Sequence, residues 1–506
     1  MKKTLVIICF LLSSLSVFAT TGSSVCPNTL ESIPILQGGR VKPLHVHAKE
    51  TIKYLTGKSK FEKRSPTQTY CLLSFGTLDI KDKIDLKVRI EHVEVRKLLG
   101  VDSNNPLLSY SALTAKEGLI KSAAMRLKEE NSYRKALNVI FGKIQTYKEI
   151  QRGGNWFIAT AVDKAVKWKP VSEFFTQLKS REDVIAFHLT LNNSKNIFIA
   201  DTGDHYLLEL TYSKLHLAHW ALLAVLLSLF AAVVFKKNHL TISFAILALV
   251  AQTAILVFRT MISERAPITN MYETVLFSGY GALVFALIFG HLRKEKLFLI
   301  VGLGYNVCTL FMISFANDML PSAIGPLVPV LRDNFWLSTH VTTIILSYGA
   351  LALSWILANV ILIKMRFFSI GSKDQKYYAD LIYACLKYGV VLLAAGIILG
   401  GVWADYSWGR FWGWDPKETW SLIVLCIYMA ILHGKYTNWI PPKRFISLTA
   451  GAFMSVMMAW FGVNYILASG LHSYGFSQGG AIFLFSFFAV QILLIAVTAV
   501  GAKSAS

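Results

Sequence analysis

The sequence predicts a polytopic α-helical membrane protein with a small α+β domain in front of its membrane part. Apolar residues make up 54% of the 506 residues, and the mean hydropathy is +0.48. These residues fall into long blocks after residue 214, whereas the preceding region is polar and mixed. The net charge of +21 does not indicate nucleic acid, because much of the Lys and Arg lies in short loops between apolar blocks. No basic, aromatic-interleaved soluble domain is present, so nucleic acid is excluded as a partner.

The first 20 residues resemble a secretory signal. Lys2 and Lys3 precede an apolar core of about 15 residues, and small residues follow near Ala19. An uncleaved signal anchor is the alternative. Either form sends the chain from residue 21 onward across the membrane.

Residues 21–214 are predicted to form one α+β domain outside the cytoplasm. The stretch "KIDLKVRIEHVEVRKLLG" alternates like a strand and runs into a helix, and residues 111–150 have helical periodicity. Cys26 and Cys71 are the two cysteines in this polar region, and export would allow them to form a disulfide. The histidines here lack metal-ligand spacing, so surface or packed histidines are the favoured interpretation. They are His45, His47, His92, His188 and His205.

Residues 215–502 are predicted to contain nine membrane spans joined by short connections. Their centres lie near residues 226, 249, 281, 306, 351, 394, 425, 457 and 490. If the preceding domain is outside, the predicted inner segments carry 13 Lys or Arg, and the outer loops, with the tryptophan-rich one counted from Trp403 to Asp415, carry four. Because Lys and Arg favour the cytoplasmic side, this bias supports the topology.

One outer segment, "WGRFWGWDPKETW", contains four of the chain's 12 tryptophans among charged residues. It belongs to a predicted loop at 403–420 that is too polar for lipid and too aromatic for water. Asp415 suits the N-cap of the seventh span, and Pro416 suits its first turn. An interfacial aromatic belt is the alternative to a ligand-binding surface, but a belt spreads its aromatic residues over many span ends.

Two histidines share the outer face with this segment. His340 lies near the outer end of the fifth span, and His472 lies in the loop after the eighth. A single histidine there is usually an interfacial hydrogen-bonding residue, but a pair beside an indole surface favours haem. Imidazoles can fill both axial positions of the iron, indoles can pack on the macrocycle, and Arg410 or Lys417 can meet a propionate.

A second set of histidines lies at the predicted inner face. His433 ends the seventh span, and His239 and His291 lie at similar depth. Histidines at such positions often bind ligands or ions, although they also anchor helices. An inner site joined to the outer one would form a path for haem across the bilayer. His216 and His219 are weaker candidates.

Several segments together resemble a known family. "GGVWADYSWGRFWGWDPKETWSLI" is similar to the WWD signature of the haem-handling superfamily, and most similar to its CcsA/ResC branch in system II cytochrome c biogenesis. "ERAPITNMYE", "PLVPVLRDNFWLSTHVTTIILSYGA" and "GLHSYG" resemble that branch in the same order. The resemblance covers roughly residues 215–500. This interpretation includes a short CcsBA-like form, in which a CcsB-like part and a CcsA-like part are fused in one chain.

The resemblance implies that the protein presents haem b at the outer face for covalent attachment to the C-x-x-C-H motif of apocytochrome c. It implies a component of a holocytochrome c synthase in the inner membrane, without conventional side-chain catalysis. His340 and His472 would be the outer axial ligands of the iron, and His433 an intramembrane ligand. His239, chosen on depth alone, would be the second inner ligand. The remaining expected haem-binding residues are Trp408, Arg410, Trp412, Trp414, Asp415 and Trp420.

Fused members of the family contain a longer multi-span CcsB/ResB part, whereas the region before residue 215 is one short domain. A separate CcsB/ResB-like subunit and a thiol reductant protein are therefore expected partners. Three alternatives remain open at this point. They are a membrane oxidoreductase subunit with permanently bound haem, a system I-type haem chaperone or exporter, and a solute transporter with a tryptophan-lined gate.

Overall fold

The computed structural model describes residues 25–75, 84–102, 104–127, 129, 131–162, 165–178, 180–316, 318–326, 333–368, 370–467 and 480–500. The chain divides into two compact units between Leu210 and Thr211. Each unit has its own apolar core. The predicted fold class, a polytopic helical protein with a small α+β part, is confirmed.

The N-terminal unit contains two small antiparallel sheets. The first has the strand order β2-β1-β5-β6, formed by β1 (Pro34–Gln37), β2 (Arg40–Pro43), β5 (Phe157–Val162) and β6 (Ala165–Pro170). The second pairs β3 (Lys87–Arg89) with β4 (Leu107–Ser109). The predicted strand in "KIDLKVRIEHVEVRKLLG" is therefore short, and a helix over Val93–Leu99 follows it.

Helices surround these sheets. Their bounds are Leu44–Thr56, Pro66–Ser74, Val93–Leu99, Tyr110–Ala115, Glu117–Arg126, Ser132–Gln151 and Arg181–Thr202. Ser65 caps the second of them in a reciprocal capping box with Gln68, which satisfies backbone N–H groups that the first turn leaves open. Cys26 and Cys71 form a buried disulfide, with 5.9 Å between their Cα atoms.

Within the described residues, nine helices are long and apolar enough to cross a membrane, which confirms the predicted number of spans. The nine spans, numbered in chain order, are Leu207–Phe235, Asn238–Ser263, Met271–Arg293, Lys296–Phe315, Asn334–Phe367, Ser372–Trp408, Pro416–Tyr436, Pro442–Leu467 and Gly480–Thr498. The fifth and eighth are the most buried, and the fifth packs against the third, sixth and eighth spans.

Buried amides join spans that are distant in sequence. Gln252 in the second span and Asn306 in the fourth exchange two hydrogen bonds of 3.1 and 3.0 Å. Gln491 in the ninth span accepts from the indole of Trp355 and bonds with Asn359, both in the fifth span. Because these polar groups satisfy one another, they stabilise helix packing in an apolar surrounding. A solute transporter would need polar residues near mid-membrane, and these amides are used in helix packing instead.

Candidate functional site

An open cavity lies at one end of the membrane unit. Its walls come from the start of the third and fifth spans, the end of the sixth, the start of the seventh and the end of the eighth. Most of the lining is apolar or aromatic. The lining includes Thr269, Asn270, Met271, Thr274, His340, Gly400, Gly401, Trp403, Phe411, Trp412, Lys417, Glu418, Trp460 and Asn464.

Among the residues that the structure describes, His340 is the histidine that lines this cavity. It lies in a π-helical turn, Leu337–Val341, where the fifth span begins. Its Nδ1 is 2.8 Å from the carbonyl oxygen of Gly396, so Nδ1 carries the proton and donates to that oxygen. The lone pair is then on Nε2, which is the arrangement found in many metal-bound histidines. The ring also contacts the indole of Trp403, with 5.8 Å between the centroids.

Two consecutive glycines in the sixth span make room for aromatic rings. A Cβ atom on Gly400 would lie 2.5 Å from Cε1 of His340, and one on Gly401 would lie 2.5 Å from the ring of Phe411. Any side chain at these positions would displace one of the rings. The pair does not end the helix, which continues through Trp403 to Trp408 and ends at Gly409 with a φ of +66°.

The connection between the sixth and seventh spans is therefore Gly409–Asp415, shorter than the predicted 403–420 loop. Asp415 caps the seventh span, as predicted, since its carboxylate accepts from the backbone N–H groups of Lys417 and Glu418. The Glu418 carboxylate in return accepts from the N–H of Gly413 at 2.6 Å and from that of Asp415 at 3.3 Å. Glu418 thus fixes the end of the connection from inside the cavity wall.

Arg410 also packs against this connection. Its guanidinium lies 3.7 Å from the Glu418 carboxylate and 6.0 Å from the centre of the Trp408 ring. A Cβ atom on Gly413 would overlap that guanidinium, so glycine is required there for Arg410 to stay in place. Trp414 has a left-handed backbone, with a φ of +59°, which is strained for a residue with a side chain. Its ring is exposed and meets the edge of Trp412.

Four polar atoms in residues 403–418 are shut off from solvent without a hydrogen-bond partner. They are Nε1 of Trp403, Nη1 of Arg410, Nε1 of Trp412 and Oε1 of Glu418. The two charged atoms, Nη1 of Arg410 and Oε1 of Glu418, face each other at 3.7 Å, beyond hydrogen-bonding distance. Each such atom costs about 1–3 kcal/mol relative to a satisfied one.

A buried ion pair holds the facing wall of the cavity. Arg259 donates through Nε to the Glu273 carboxylate at 2.7 Å and through Nη1 to the carbonyl oxygen of Ser322. Glu273 also accepts from the backbone N–H and the hydroxyl of Thr269, which lines the cavity. Asn270, another lining residue, caps the third span. A network of charged hydrogen bonds thus determines where residues 269–274 lie.

The inner histidines lie elsewhere. His433 is exposed in the last turn of the seventh span, and its Nδ1 bonds to the carbonyl oxygen of Met429 at 2.8 Å. His239 is exposed in the first turn of the second span. The second span packs against the first and third, and the seventh span packs against the sixth and eighth, so the two histidines have different neighbours. His472 lies outside the described residues.

The structure brings His340 and Trp412 to the cavity and sets the other predicted loop residues around it. Trp420 packs into the core of the bundle, and Asp415, Arg410 and Trp408 support the connection. Sequence reasoning missed Gly400, Gly401, Trp403, Glu273, Trp460 and Asn464. The glycine pair inside an apolar span and the second glutamate of "ERAPITNMYE", Glu273, were available signals. Trp460 and Asn464 give none, because they lie in an ordinary apolar block.

The fold and the site define a class: a polytopic membrane protein with an aromatic, histidine-containing cavity at one end of its helical bundle. The family described as "Cytochrome C assembly protein" matches residues 213–472. The chain belongs to this family. It is a multi-pass membrane protein of cytochrome c biogenesis, and its family handles haem on the way to cytochrome c.

Similar proteins agree with the family. The cytochrome c biogenesis protein CcsA of Guillardia theta is 35% identical over 284 residues, which are 50% of this chain and 93% of the relative. CcsA of Gloeobacter violaceus is 31% identical over 46% of this chain and 85% of its own length. Protein NrfI of Wolinella succinogenes is 33% identical over 49% of this chain, but only 28% of its own length is covered.

Proposed function

We propose that the protein binds haem b in the cavity at His340 and presents it for covalent attachment to apocytochrome c. The observation that carries the proposal is the orientation of His340 in a largely apolar, aromatic wall. The Gly396 carbonyl accepts from Nδ1, so the lone pair of the ring is on Nε2, which is the nitrogen proposed to bind iron.

Haem matches the chemistry of this cavity better than a small polar solute does. Trp403, Phe411, Trp412 and Trp460 offer ring surfaces to a flat apolar macrocycle. Lys417, which also lines the cavity, offers a charged donor to its anionic edge. In this proposal Trp412 contacts the macrocycle. Trp408, Arg410, Trp414, Asp415 and Trp420 hold the connection and the helix that carries it.

The second outer axial ligand is proposed to be His472, on the family resemblance. At the other end of the bundle, His433 and His239 are proposed as resting ligands for haem on its way to the cavity. Their exposed positions fit contact with a further subunit better than contact with each other. A CcsB/ResB-like subunit would complete that inner site.

The cavity end is proposed to face outward from the cytoplasmic membrane. The 13-to-four bias of Lys and Arg supports this orientation, and so does the Cys26–Cys71 disulfide, which favours an oxidising compartment for the N-terminal unit. Apocytochrome c thiols would have to be kept reduced there, so a thiol reductant protein is a proposed partner.

Thioether formation depends more on the positions of haem and the cysteine thiols than on catalysis by side chains. Each thioether forms when a cysteine S–H adds across one vinyl group: the sulfur bonds to one carbon and the hydrogen to the other, with no net oxidation. The protein's task is to hold the vinyl groups within reach of two thiols. His340 would be released when the histidine of C-x-x-C-H takes its place on the iron.

The test is the absorption spectrum of the purified full chain, oxidised and reduced, with the His340→Gly variant alongside. We expect a low-spin haem spectrum in the natural protein, weakened or lost in the variant, and restored by added imidazole. Gly400→Ala should give a related loss, with haem affinity falling about 10- to 100-fold, because the new Cβ displaces the same imidazole.

His291→Ala is the matched control, since His291 lies at the end of the third span, opposite the cavity-lining start of that helix. Its spectrum should equal that of the natural protein. An unchanged spectrum in His340→Gly would refute His340 as the ligand. A haem that stays bound in the presence of reduced apocytochrome c would favour a resident electron carrier instead.

A further inference from the structure

The side-chain amide of Asn464 has a fixed orientation in the cavity wall. Asn464 lies in the π-helical end of the eighth span, Met458–Leu467, and is 7% exposed. Its Nδ2 donates to the carbonyl oxygen of Trp460 at 2.5 Å and to Sδ of Met271 at 3.2 Å. Both neighbours are acceptors, so the nitrogen faces them and Oδ1 points away from them. Because Asn464 lines the cavity, Oδ1 is the atom left for the contents of the cavity.

The hydroxyl of Tyr348 is a second polar group that is open to the cavity. Tyr348, in the fifth span, lines the cavity and packs its ring against the indole of Trp460, with 5.5 Å between the centroids. Among the residues that the structure describes, neither this hydroxyl nor Oδ1 of Asn464 has a hydrogen-bond partner, and neither is closed to solvent. The hydroxyl of Tyr428, in the seventh span, is by contrast shut off from solvent. A molecule in the cavity can therefore reach both groups.

Other polar groups beside Trp460 satisfy one another. The indole N–H of Trp460 donates to the hydroxyl of Thr274 at 3.1 Å, and that hydroxyl donates to the carbonyl oxygen of Met271 at 3.1 Å. Polar groups in a largely apolar surrounding usually have such partners. An acceptor on Asn464 and a hydroxyl on Tyr348, both without one, indicate a ligand that supplies a donor and an acceptor.

Haem does not supply the donor that Oδ1 of Asn464 lacks. Its four nitrogens are bound to iron, its vinyl and methyl groups are apolar, and its ionised propionates only accept hydrogen bonds. The polypeptide that receives haem is different, because each of its residues other than proline presents a main-chain N–H donor and a C=O acceptor. The two open groups of the wall match this pair.

We infer that Asn464 and Tyr348 bind the main chain of apocytochrome c in the segment that carries C-x-x-C-H. This inference rests on the proposed function. Oδ1 of Asn464 accepts from a main-chain N–H, and the Tyr348 hydroxyl donates to a main-chain carbonyl oxygen. No covalent bond forms or breaks at either residue. These contacts hold the segment against the cavity wall and so limit how far its thiols lie from the vinyl groups of haem.

The test measures binding of a fluorescently labelled peptide to the haem-loaded full chain in detergent. The peptide has the pattern A-x-x-A-H, in which alanines replace both cysteines so that no thioether forms. Fluorescence anisotropy gives the Kd, and empty micelles correct for peptide that enters the detergent. Tyr348→Phe and Asn464→Leu should each weaken peptide binding about 2- to 10-fold, as expected for one neutral hydrogen bond. The haem spectrum should stay that of the natural protein.

Peptides in which an ester oxygen replaces one main-chain N–H assign the contact to Asn464. One of them should bind the natural protein about 2- to 10-fold more weakly than the all-amide peptide, and show no such loss with Asn464→Leu. Both peptides are compared on the same variant, so a shift of Trp460 in that variant does not affect the comparison. Tyr428→Phe is the matched control, because it removes a hydroxyl that the cavity does not reach. It should leave each Kd unchanged.

The outcomes separate this inference from the proposed function. A natural protein that binds no haem overturns the proposed function. Haem binding with no peptide binding, or with equal peptide affinity in the natural protein, Tyr348→Phe and Asn464→Leu, refutes the inference alone and means that the two groups contact water only. If Asn464→Leu does not fold, Tyr348→Phe, which keeps the ring beside Trp460, and the ester peptides with the natural protein decide the question.

Discussion

His47 lies inside the N-terminal unit, where it contacts protein groups and almost no solvent. It is 3% exposed, and its Nε2 lies 3.1 Å from the Tyr70 hydroxyl, which donates to the carbonyl oxygen of Asn155. Burial, and secondarily the charge of Lys42, lowers the pKa of His47 to about 3. The ring is therefore neutral in the folded protein at every ordinary pH.

This burial makes the unit sensitive to mild acid. The unfolded chain has a histidine pKa near 6.5, so between that value and about 3 it binds a proton that the folded state does not. Stability is complete above pH 6.5 and falls as the pH falls, by about 2 kcal/mol between pH 7 and pH 5. His47→Gln should flatten this dependence while keeping a bond to Tyr70.

Amide hydrogen exchange of the helix Leu44–Thr56 in the full chain, corrected for the intrinsic effect of pH, measures the change. Burial also lowers the pKa of His188, which adds a smaller loss of stability in the same pH direction. This loss is the same in the natural protein and in His47→Gln. Identical pH profiles for the natural protein and His47→Gln would show that His47 titrates normally in the folded state.

At the residue scale, chemistry-bearing side chains were easier to predict than the space around them. His340 and Trp412 stand out in the sequence because a histidine and clustered indoles are unusual at span ends, and both line the cavity. Gly400 matters because of what its missing Cβ would touch, and that depends on a helix some 60 residues away in the chain. The periodicity of the sequence gives no information on a contact between residues so far apart in the chain.

At the scale of elements, the start of the seventh span was predictable and the end of the sixth was not. Asp415 before Pro416, with Glu418 in the first turn, is a local signal, and the capping box forms. The aromatic residues after Gly401 indicated a loop, yet hydrogen bonding along the helix continues to Trp408. Local polarity indicates the membrane–water interface, but it does not end a helix at that point.

The Arg259–Glu273 pair links the second and third spans and, through Thr269, one cavity wall. Both side chains are buried, so removing one partner leaves an uncompensated charge. We expect Arg259→Met or Glu273→Gln to lower the free energy of unfolding by about 3–5 kcal/mol. The double variant Arg259→Met/Glu273→Leu should cost clearly less than the sum of the two single changes, since neither charge then remains.

Equilibrium unfolding in mixed detergent and SDS micelles gives the required double-mutant cycle. Gln252→Leu with Asn306→Leu is the matched control cycle, because it removes an uncharged buried pair between the second and fourth spans, away from the cavity. Its single variants should cost less than those of the ion pair. Simple additivity of Arg259 and Glu273 substitutions would contradict direct coupling between them.

At the scale of the whole molecule, the nine spans were predictable because each is a long apolar block, and the same property makes it a helix in lipid. The N-terminal unit was predictable only as an α+β class. Its strands are three to six residues long and one pair of them joins segments more than 100 residues apart, β1 with β5. Local patterns are too weak to predict such pairings.

Because each unit has its own apolar core, we expect that destabilising one unit leaves the other folded. The disulfide in the N-terminal unit allows a test of this expectation. Cys26 and Cys71 are separated by 45 residues in sequence, both inside the N-terminal unit. Closing a loop of that length lowers the entropy of the unfolded chain, which corresponds to about 4 kcal/mol of stability. Cys26→Ser/Cys71→Ser should lose about that amount in the N-terminal unit and keep the His340-dependent haem spectrum.

Protease resistance of residues 25–202 measures the loss of stability, and the absorption spectrum measures the haem site. Cys308→Ser/Cys426→Ser, which changes two exposed free cysteines, is the control. Loss of the haem spectrum together with protease resistance would mean that the haem cavity depends on the folded N-terminal unit.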